Sequence, residues 1–256
     1  IEKMNLNSLK GIDEKIQAGD FRLNKTMDAL ALADELTHGV LDVWVTTLEG
    51  WRVEEIALEL AQQLSIPESE FLKVAEEGYM FPDTYLIPRG ATAEDAALLF
   101  ENTFTARFAQ EFQSEIAAQS LTMKQIVTLA SIVEREAQND EDRPLIAGIF
   151  IKRLNEDWPL DADATVQYAL GYQSSEKTWW KKELNAQDLR INSQYNTRKF
   201  SGYPPGPICN PGIASLKAVI MPQESDYWFY LSDLTGKMHY AKTLQEHTEN
   251  IRKYLE

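Results

Sequence analysis

Several chemistries are excluded by what this sequence lacks. Its 256 residues include one cysteine, Cys209, and three histidines. A single cysteine rules out an intrachain disulfide. The histidines lack the spacing of a zinc site, and no Gly-x-Ser-x-Gly motif is present for a serine nucleophile. No run of about 18 apolar residues occurs, so the sequence predicts no transmembrane helix, and we find no signal peptide pattern.

Basic residues are scarce relative to acidic ones, 25 against 40, and the net charge is -15. Nucleic-acid binding needs clustered Lys and Arg, so this balance argues against such a partner. The sequence also has no glycine-rich loop that could cradle phosphates. Asp161 and Asp163 could together bind a cation, but such a pair more often caps a turn. We therefore expect no nucleic-acid partner, no metal and no organic cofactor.

The length and the apolar fraction of 44% are sufficient for a buried core in one large or two small domains. A run rich in β-branched residues at 43–47 predicts a strand, and helical spacing at 53–64 and 67–75 predicts two short helices. This βαα order resembles a LysM-like glycan-binding module, although a generic βαα scaffold fits it about equally well. We expect an α+β fold, with this small module within residues 1–76 and a larger mixed α/β domain at residues 77–256.

The larger mixed α/β domain is expected to be built around one central helix that carries two glutamates. A capping-box pattern predicts a long helix from Thr92 to about Gln119, and a second one at Thr122 opens the glutamate-bearing helix. Residues 202–212 contain four prolines and three glycines, which predicts a stiff loop, called the proline loop below. Apolar periodicity predicts three further elements: strands at 226–231 and 237–241, and a last helix at 244–254.

The two glutamates, Glu134 and Glu136, lie in the most apolar helical stretch of the chain. A carboxyl group beside an apolar wall tends to keep its proton, and a protonated carboxyl is what cleavage of a glycosidic bond needs as its general acid. Residues two apart on a helix point roughly 200° apart, so at most one of the two can be the central acid. The alternative is that both are ion-paired helix residues, with Arg135 or Arg143 as partners.

Aromatic residues are concentrated in the irregular stretch after this helix. They are Trp158, Tyr168, Tyr172, Trp179, Trp180, Tyr195 and Tyr203. Aromatic faces stack on sugar rings, and neighbouring Asn, Gln, Asp and Thr side chains can hydrogen-bond hydroxyl and N-acetyl groups. Any one aromatic residue is more often part of a core, but their concentration in loops favours sugar binding.

Several segments, taken together and in order, resemble the signatures of the YceG-like family. The downstream ones are Leu-Ala-Ser-Ile-Val-Glu-Arg-Glu at 129–136, Asp-Ala-Thr-Val-Gln-Tyr at 163–168, Tyr-Asn-Thr at 195–197, and the proline loop. The upstream ones are Gly-Asp-Phe-Arg-Leu at 19–23, Glu-Gly at 49–50 and Phe-Pro-Asp-Thr-Tyr at 81–85. Each segment is weak evidence alone, but the likeness covers nearly the whole chain.

The resemblance implies a lytic transglycosylase that cuts bonds between MurNAc and GlcNAc within nascent peptidoglycan strands. The products would be 1,6-anhydro-MurNAc ends, and strand elongation would stop. By its place in the motif, Glu136 is similar to the family's catalytic acid, and no cofactor is needed. Substrate contacts are expected from Glu134, Asp163, Thr165, Gln167, Tyr168, Tyr195 and Asn196.

The resemblance further implies a single-pass anchor in the bacterial inner membrane, expected in the full-length protein, with the catalytic domain on the periplasmic or extracytoplasmic side. It also implies contact with cell-wall synthases, the penicillin-binding proteins. Two alternatives stay open at this point. One is a non-enzymatic peptidoglycan-binding module, and the other is a hydrolytic muramidase, in which water attacks instead of the sugar's C6 hydroxyl.

Overall fold

The computed structural model describes residues 15–16, 23–38 and 42–255, so most of the motif at 19–23 lies outside the described residues. Helices and antiparallel strands are both present, as the expected α+β class requires. The α-helices are α1 (Ala29–His38), α2 (Val53–Leu64), α3 (Glu68–Val74), α4 (Ala93–Phe104), α5 (Gln113–Ala118), α6 (Met123–Glu136), α7 (Arg143–Asn155), α8 (Asp163–Leu170), α9 (Ile213–Ile220) and α10 (Leu244–Tyr254). The strands are β1 (Asp42–Thr46), β2 (Thr84–Pro88), β3 (Phe229–Ser232) and β4 (Met238–Ala241). None of the helices in these described ranges is long and apolar enough to cross a membrane.

A first hydrophobic core is built on the antiparallel pair β1–β2. Val45 and Tyr85 are partners across this sheet, and both are buried together with apolar residues of α2, α3 and α4. Phe71 of α3 meets Phe100 of α4 edge-on, with 6.0 Å between ring centroids. The sequence pattern does not predict β2, because a five-residue run that ends in proline resembles loop. Because β2 lies beyond residue 76, a domain boundary between residues 76 and 77 would separate the two strands of this sheet. That boundary stays a prediction.

The single long helix predicted from Thr92 onward is divided in the structure. A π-helical turn at Thr105–Gln110 separates α4 from α5. Three phenylalanines line this region, with ring centroids 5.6 Å apart for Phe104 and Phe108 and 6.0 Å apart for Phe108 and Phe112. Neither proline nor glycine marks the break, so the local sequence carries no signal for it.

Helix α6 is the centre of a second core. The predicted capping box is present, because Thr122 and Gln125 each accept a hydrogen bond from the other's backbone N–H. Residues 126–133 are all buried, and α6 packs on α7 and α9. The hairpin β3–β4 pairs in antiparallel fashion and carries α10 against it. Glu136 is the last residue of α6 and comes after this fully buried run, so it lies at the edge of the core and not at its centre.

The proline loop joins the two cores through Asn210. The side-chain oxygen of Asn210 accepts hydrogen bonds from the backbone N–H groups of Gly78 and Met80, both at 2.9 Å. Its side-chain nitrogen donates to the carbonyl oxygen of Trp51 and to Glu77 Oε1, both at 3.0 Å. One buried amide thus ties the loop to two segments that flank the first core.

Candidate active site

A cavity of about 480 Å³ opens beside the C-terminal end of α6. Its walls come from α6, the first turns of α8, the β3–β4 hairpin and α10. The charged and polar residues that line it include Arg135, Glu136, Gln138, Asp163, Gln167 and Arg198. The carboxyl predicted as the general acid therefore lies at a cavity that a ligand can enter.

Two neutral donors hold the carboxyl group of Glu136. The hydroxyl of Tyr230, on β3, donates to Oε2 at 3.0 Å. The backbone N–H of Ala164, in the first turn of α8, donates a longer bond to Oε1 at 3.4 Å. The Tyr230 ring packs edge-on against Phe150 with 5.9 Å between centroids, which fixes the hydroxyl in place. The carboxyl is thus oriented from both sides.

Burial raises the pKa of Glu136 above the ordinary value of a glutamate and is the largest effect on it. The hydrogen bonds from Tyr230 and Ala164 lower this pKa, the charge of Asp163 raises it, and the charge of Arg198 lowers it. Glu136 is also the last residue of α6, where the helix dipole disfavours a negative charge. The balance favours the protonated carboxyl, the form that can donate a proton to a substrate.

Asp163, predicted to contact substrate, lines the same cavity and is paired with an arginine. Arg198 Nε donates to Asp163 Oδ1 at 2.7 Å, and Arg198 Nη1 lies 3.0 Å from Asp161 Oδ1. The possible cation pair of the sequence analysis is therefore bridged by a guanidinium. Among the described residues no group of three or more His, Cys, Asp or Glu is arranged to hold a metal ion.

Of the other predicted contacts on this side, Gln167 lines the cavity and Thr165 and Asn196 are buried. The Thr165 hydroxyl lies 2.9 Å from that of Thr197, and the Asn196 side chain donates to the carbonyl oxygens of residues 189 and 191. Both have protein partners and no exposed surface. They hold the loops behind the cavity wall, and their expected direct contact with sugar stays a prediction.

Tyr168 and Tyr195 are brought together outside the residues that line the cavity. Their ring centroids are 4.7 Å apart. The guanidinium of Arg52, which is buried, stands 4.1 Å from the centre of the Tyr168 ring and 4.5 Å from that of Trp179. This part of the predicted aromatic set therefore packs around a cation of the first core instead of forming an open platform.

Glu134 points away from Glu136, as the helical geometry requires. Its Oε1 lies 3.0 Å from Arg143 Nη1, and its Oε2 accepts a hydrogen bond from Gly212 N at 2.9 Å. The side chains of Glu134 and Arg143 are 6% and 10% exposed, so this ion pair is buried. The ion-pair alternative of the sequence analysis thus applies to Glu134, which is not among the residues that line the cavity, and its contact with substrate stays a prediction.

Sequence reasoning missed Tyr230 and Arg198. Tyr230 is 94 positions from Glu136 and stands among other aromatic residues in a short strand, so no local pattern singles it out. Arg198 follows the Tyr-Asn-Thr motif directly, which was a usable signal. The single cysteine, Cys209, is buried, and burial raises the pKa of its thiol.

Comparison with known proteins gives relatives over most of the chain. A Bacillus subtilis (strain 168) protein named endolytic murein transglycosylase is 30% identical over 270 residues, which cover 93% of this chain and 73% of that protein. A Streptococcus pneumoniae protein of the same name is 30% identical over 285 residues, 94% of this chain and 51% of that protein. This chain thus spans about half the length of the second relative.

A solved structure shows the same fold. The 2.6 Å crystal structure of a yceG-like protein from Listeria monocytogenes has a TM-score of 0.74 and 27% identity to this chain. The match covers 95% of this chain and 88% of that one. The sequence profile of the YceG-like family matches residues 3–253, and this chain therefore belongs to the YceG-like family.

Proposed function

We propose that this protein is an endolytic lytic transglycosylase that cleaves peptidoglycan strands between MurNAc and GlcNAc and so ends their elongation. The observation that carries the proposal is the carboxyl of Glu136, with a raised pKa, held at a cavity by Tyr230. The two relatives named endolytic murein transglycosylase, 30% identical over most of this chain, support the same reaction.

The proposed reaction needs one carboxyl in two successive roles. Glu136 donates its proton to the glycosidic oxygen as the bond from that oxygen to C1 of MurNAc breaks. The C6 hydroxyl of the same sugar then attacks C1, and its proton goes to the Glu136 carboxylate. The new C6–O–C1 bond is the 1,6-anhydro ring, and the enzyme returns to its starting protonation state. Tyr230, which donates to the carboxylate, stabilises the charged form between the two steps.

A hydrolytic muramidase is the second candidate, since Asp163 is another carboxylate at the cavity. A pair of carboxylates is what ordinary glycosidases use, one as acid and one as base or nucleophile. In this site the Asp163 carboxylate is engaged by Arg198 at 2.7 Å, so it is not a free base. This pairing favours the reaction with Glu136 alone.

The sugar contacts are proposed to come from the residues that line the cavity. Asp163 and Gln167 have side chains on its wall beside Glu136. Thr165 and Asn196, although predicted as contacts, act from behind this wall by fixing its backbone. Tyr168 and Tyr195 pack around Arg52 but are only partly buried, so we propose that their exposed edges meet the flanking sugars of a longer strand.

The first core is proposed to be the LysM-like glycan-binding module. Its order of strand, two helices and returning antiparallel strand, β1-α2-α3-β2, supports this assignment. Peptidoglycan lies outside the cytoplasmic membrane, so the protein acts on that side, and an inner-membrane anchor in the full-length protein would hold it near the synthases that extrude new strands.

The test is digestion of purified peptidoglycan by the wild type and by Glu136→Gln, with Glu156→Gln as a matched control at an exposed glutamate. Loss of a general acid lowers the rate roughly a hundredfold or more, so we expect anhydro-muropeptides from the wild type and the control only. Equal release by Glu136→Gln refutes the assignment. Products that are one water heavier indicate the muramidase, and binding without any product indicates a binding module.

A further inference from the structure

Of the arginines that line the cavity, Arg135 is the one whose guanidinium has no hydrogen-bond or ion-pair partner among the described residues. Arg198 pairs with two aspartates, and Arg153 donates to the carbonyl oxygens of Leu160 and Trp228. No hydrogen bond or ion pair joins Arg135 to any residue in the described part of the chain, and its buried Nε has no acceptor there. Nε is closed off from the cavity, but the terminal N–H groups of this cavity-lining arginine also have no acceptor among the described residues, which is costly unless a ligand supplies one.

The guanidinium of Arg135 is nevertheless held in a fixed position. Its Cζ lies 3.9 Å from the centre of the Trp180 ring, and Trp180 Nε1 donates to Glu55 Oε2 at 3.2 Å. The chain also comes close at Gly50, where an added Cβ would lie 3.2 Å from Arg135 Nη1. Gly50 also has φ +78°, a conformation that suits glycine. A stacked guanidinium presents its N–H groups in one plane, as bidentate recognition of a carboxylate requires.

We propose that Arg135 binds a carboxylate of the stem peptide carried by the MurNAc whose bond is cut. This inference rests on the proposed function. The glycan itself is uncharged when its lactyl groups are joined to peptides, so the peptides carry the carboxylates of the strand. The stem peptide branches from the same sugar ring that presents C1 to Glu136, and Arg135 is the residue next to Glu136 on the cavity wall. Arg135 is thus a specificity-determining residue that selects peptide-bearing strands.

Binding can be measured apart from catalysis, in a Glu136→Gln background that leaves the strands intact. One preparation of soluble strands has its amines acetylated, and a second also has its carboxylates converted to neutral methylamides. The added variants are Arg135→Met, Arg135→Lys, and Arg89→Met as a matched control at an exposed arginine on the turn after β2. Calorimetry gives the Kd of each protein for each preparation.

Without further change, the Glu136→Gln protein should bind the acidic strands about tenfold more tightly than the neutral ones, the effect of one charge-assisted hydrogen-bonded pair. Arg135→Met should bind both alike, Arg135→Lys should recover part of the preference, and Arg89→Met should keep it. An equal loss on both preparations with Arg135→Met means that Arg135 only supports Trp180, and overturns the proposal. Absence of any preference before Arg135 is changed overturns it too. A wild type that binds with this preference but cleaves nothing would refute the proposed function alone.

Discussion

Glu134→Gln is expected to destabilise the protein while leaving its chemistry nearly intact. The substitution keeps the size of the side chain and removes its charge. It leaves the guanidinium of Arg143, itself 10% exposed, with only the hydroxyl of Ser215 and the carboxylate of Asp140. Asp140 is 80% exposed, so water screens that pair strongly. The bond from Gly212 N to the residue at 134 can persist, because an amide oxygen also accepts.

The magnitude follows from the burial of the pair. Removing one partner of a buried ion pair costs about 3–5 kcal/mol, since the other charge stays desolvated. The remaining contacts of Arg143 with Asp140 and Ser215 place the expected cost at the lower end, about 3 kcal/mol. For a protein of this size each kcal/mol lowers Tm by about 2–4 °C, so a drop of about 6–12 °C is expected.

Urea denaturation and thermal melts of the wild type, Glu134→Gln and the exposed control Glu156→Gln measure this cost. The kcat and KM for peptidoglycan strands are measured at a temperature where all three are folded. We expect kcat and KM within about twofold of the wild type, because the buried Glu134 side chain does not line the cavity. An unchanged Tm together with a large rise in KM would show that Glu134 contacts substrate, as the sequence predicts, and that the structural reasoning is wrong.

Two other substitutions test the pKa shifts. Tyr230→Phe removes a hydrogen bond that lowers the pKa of Glu136, so that pKa should rise further. The fall of kcat at high pH should then move to higher pH, and kcat itself should drop about tenfold. Tyr227→Phe is the control, and a pH profile of kcat that does not move in Tyr230→Phe contradicts this role of Tyr230. Burial raises the pKa of Glu77 from 4.5 to about 8, so the folded state holds this proton after the unfolded chain has lost it. Stability should therefore fall as pH rises from 4.5 to about 8, by at most about 1.4 kcal/mol per pH unit, and urea denaturation of Glu77→Gln should show a flatter profile. Parallel pH profiles for Glu77→Gln and the wild type would contradict the shift.

The elements that the sequence predicts well are those with a long apolar period or a capping signal. Helix α2 and the last helix α10 begin and end within two residues of their predicted bounds, and α6 begins at the predicted capping box. Helix α8 was not predicted as a separate element, since it has eight residues and its N-cap, Ala162, makes no side-chain cap. Such a helix is stabilised by tertiary contacts, which a local pattern does not contain. The same reason applies to β2, which pairs with a strand about forty positions earlier.

The residue types of the site were easier to predict than their exposure. The helical angle between Glu134 and Glu136 follows from their spacing, and the structure places them with separate partners. Thr165 and Asn196 have side chains that suit sugar hydroxyls, but the same hydrogen-bonding capacity serves equally well to satisfy buried backbone carbonyls. The sequence shows that such a side chain can form hydrogen bonds, but it does not show whether its partner is a sugar or the protein backbone. Tyr230 is the opposite case: it lies at the site, but nothing in the sequence distinguishes it from a tyrosine of the hydrophobic core.

The electrostatics of the cavity depend on where each arginine is engaged. Arg198 lowers the pKa of Glu136 through its charge, and direct contact with the Glu136 carboxyl would favour the ionised form, which has no proton to give. Asp161 and Asp163 accept from Arg198 at 3.0 and 2.7 Å and so keep its guanidinium occupied. Arg143 is engaged by Glu134 on the other side of α6. Among the described residues the acid therefore accepts hydrogen bonds from neutral donors, and this arrangement allows burial to raise its pKa although three arginines line the cavity.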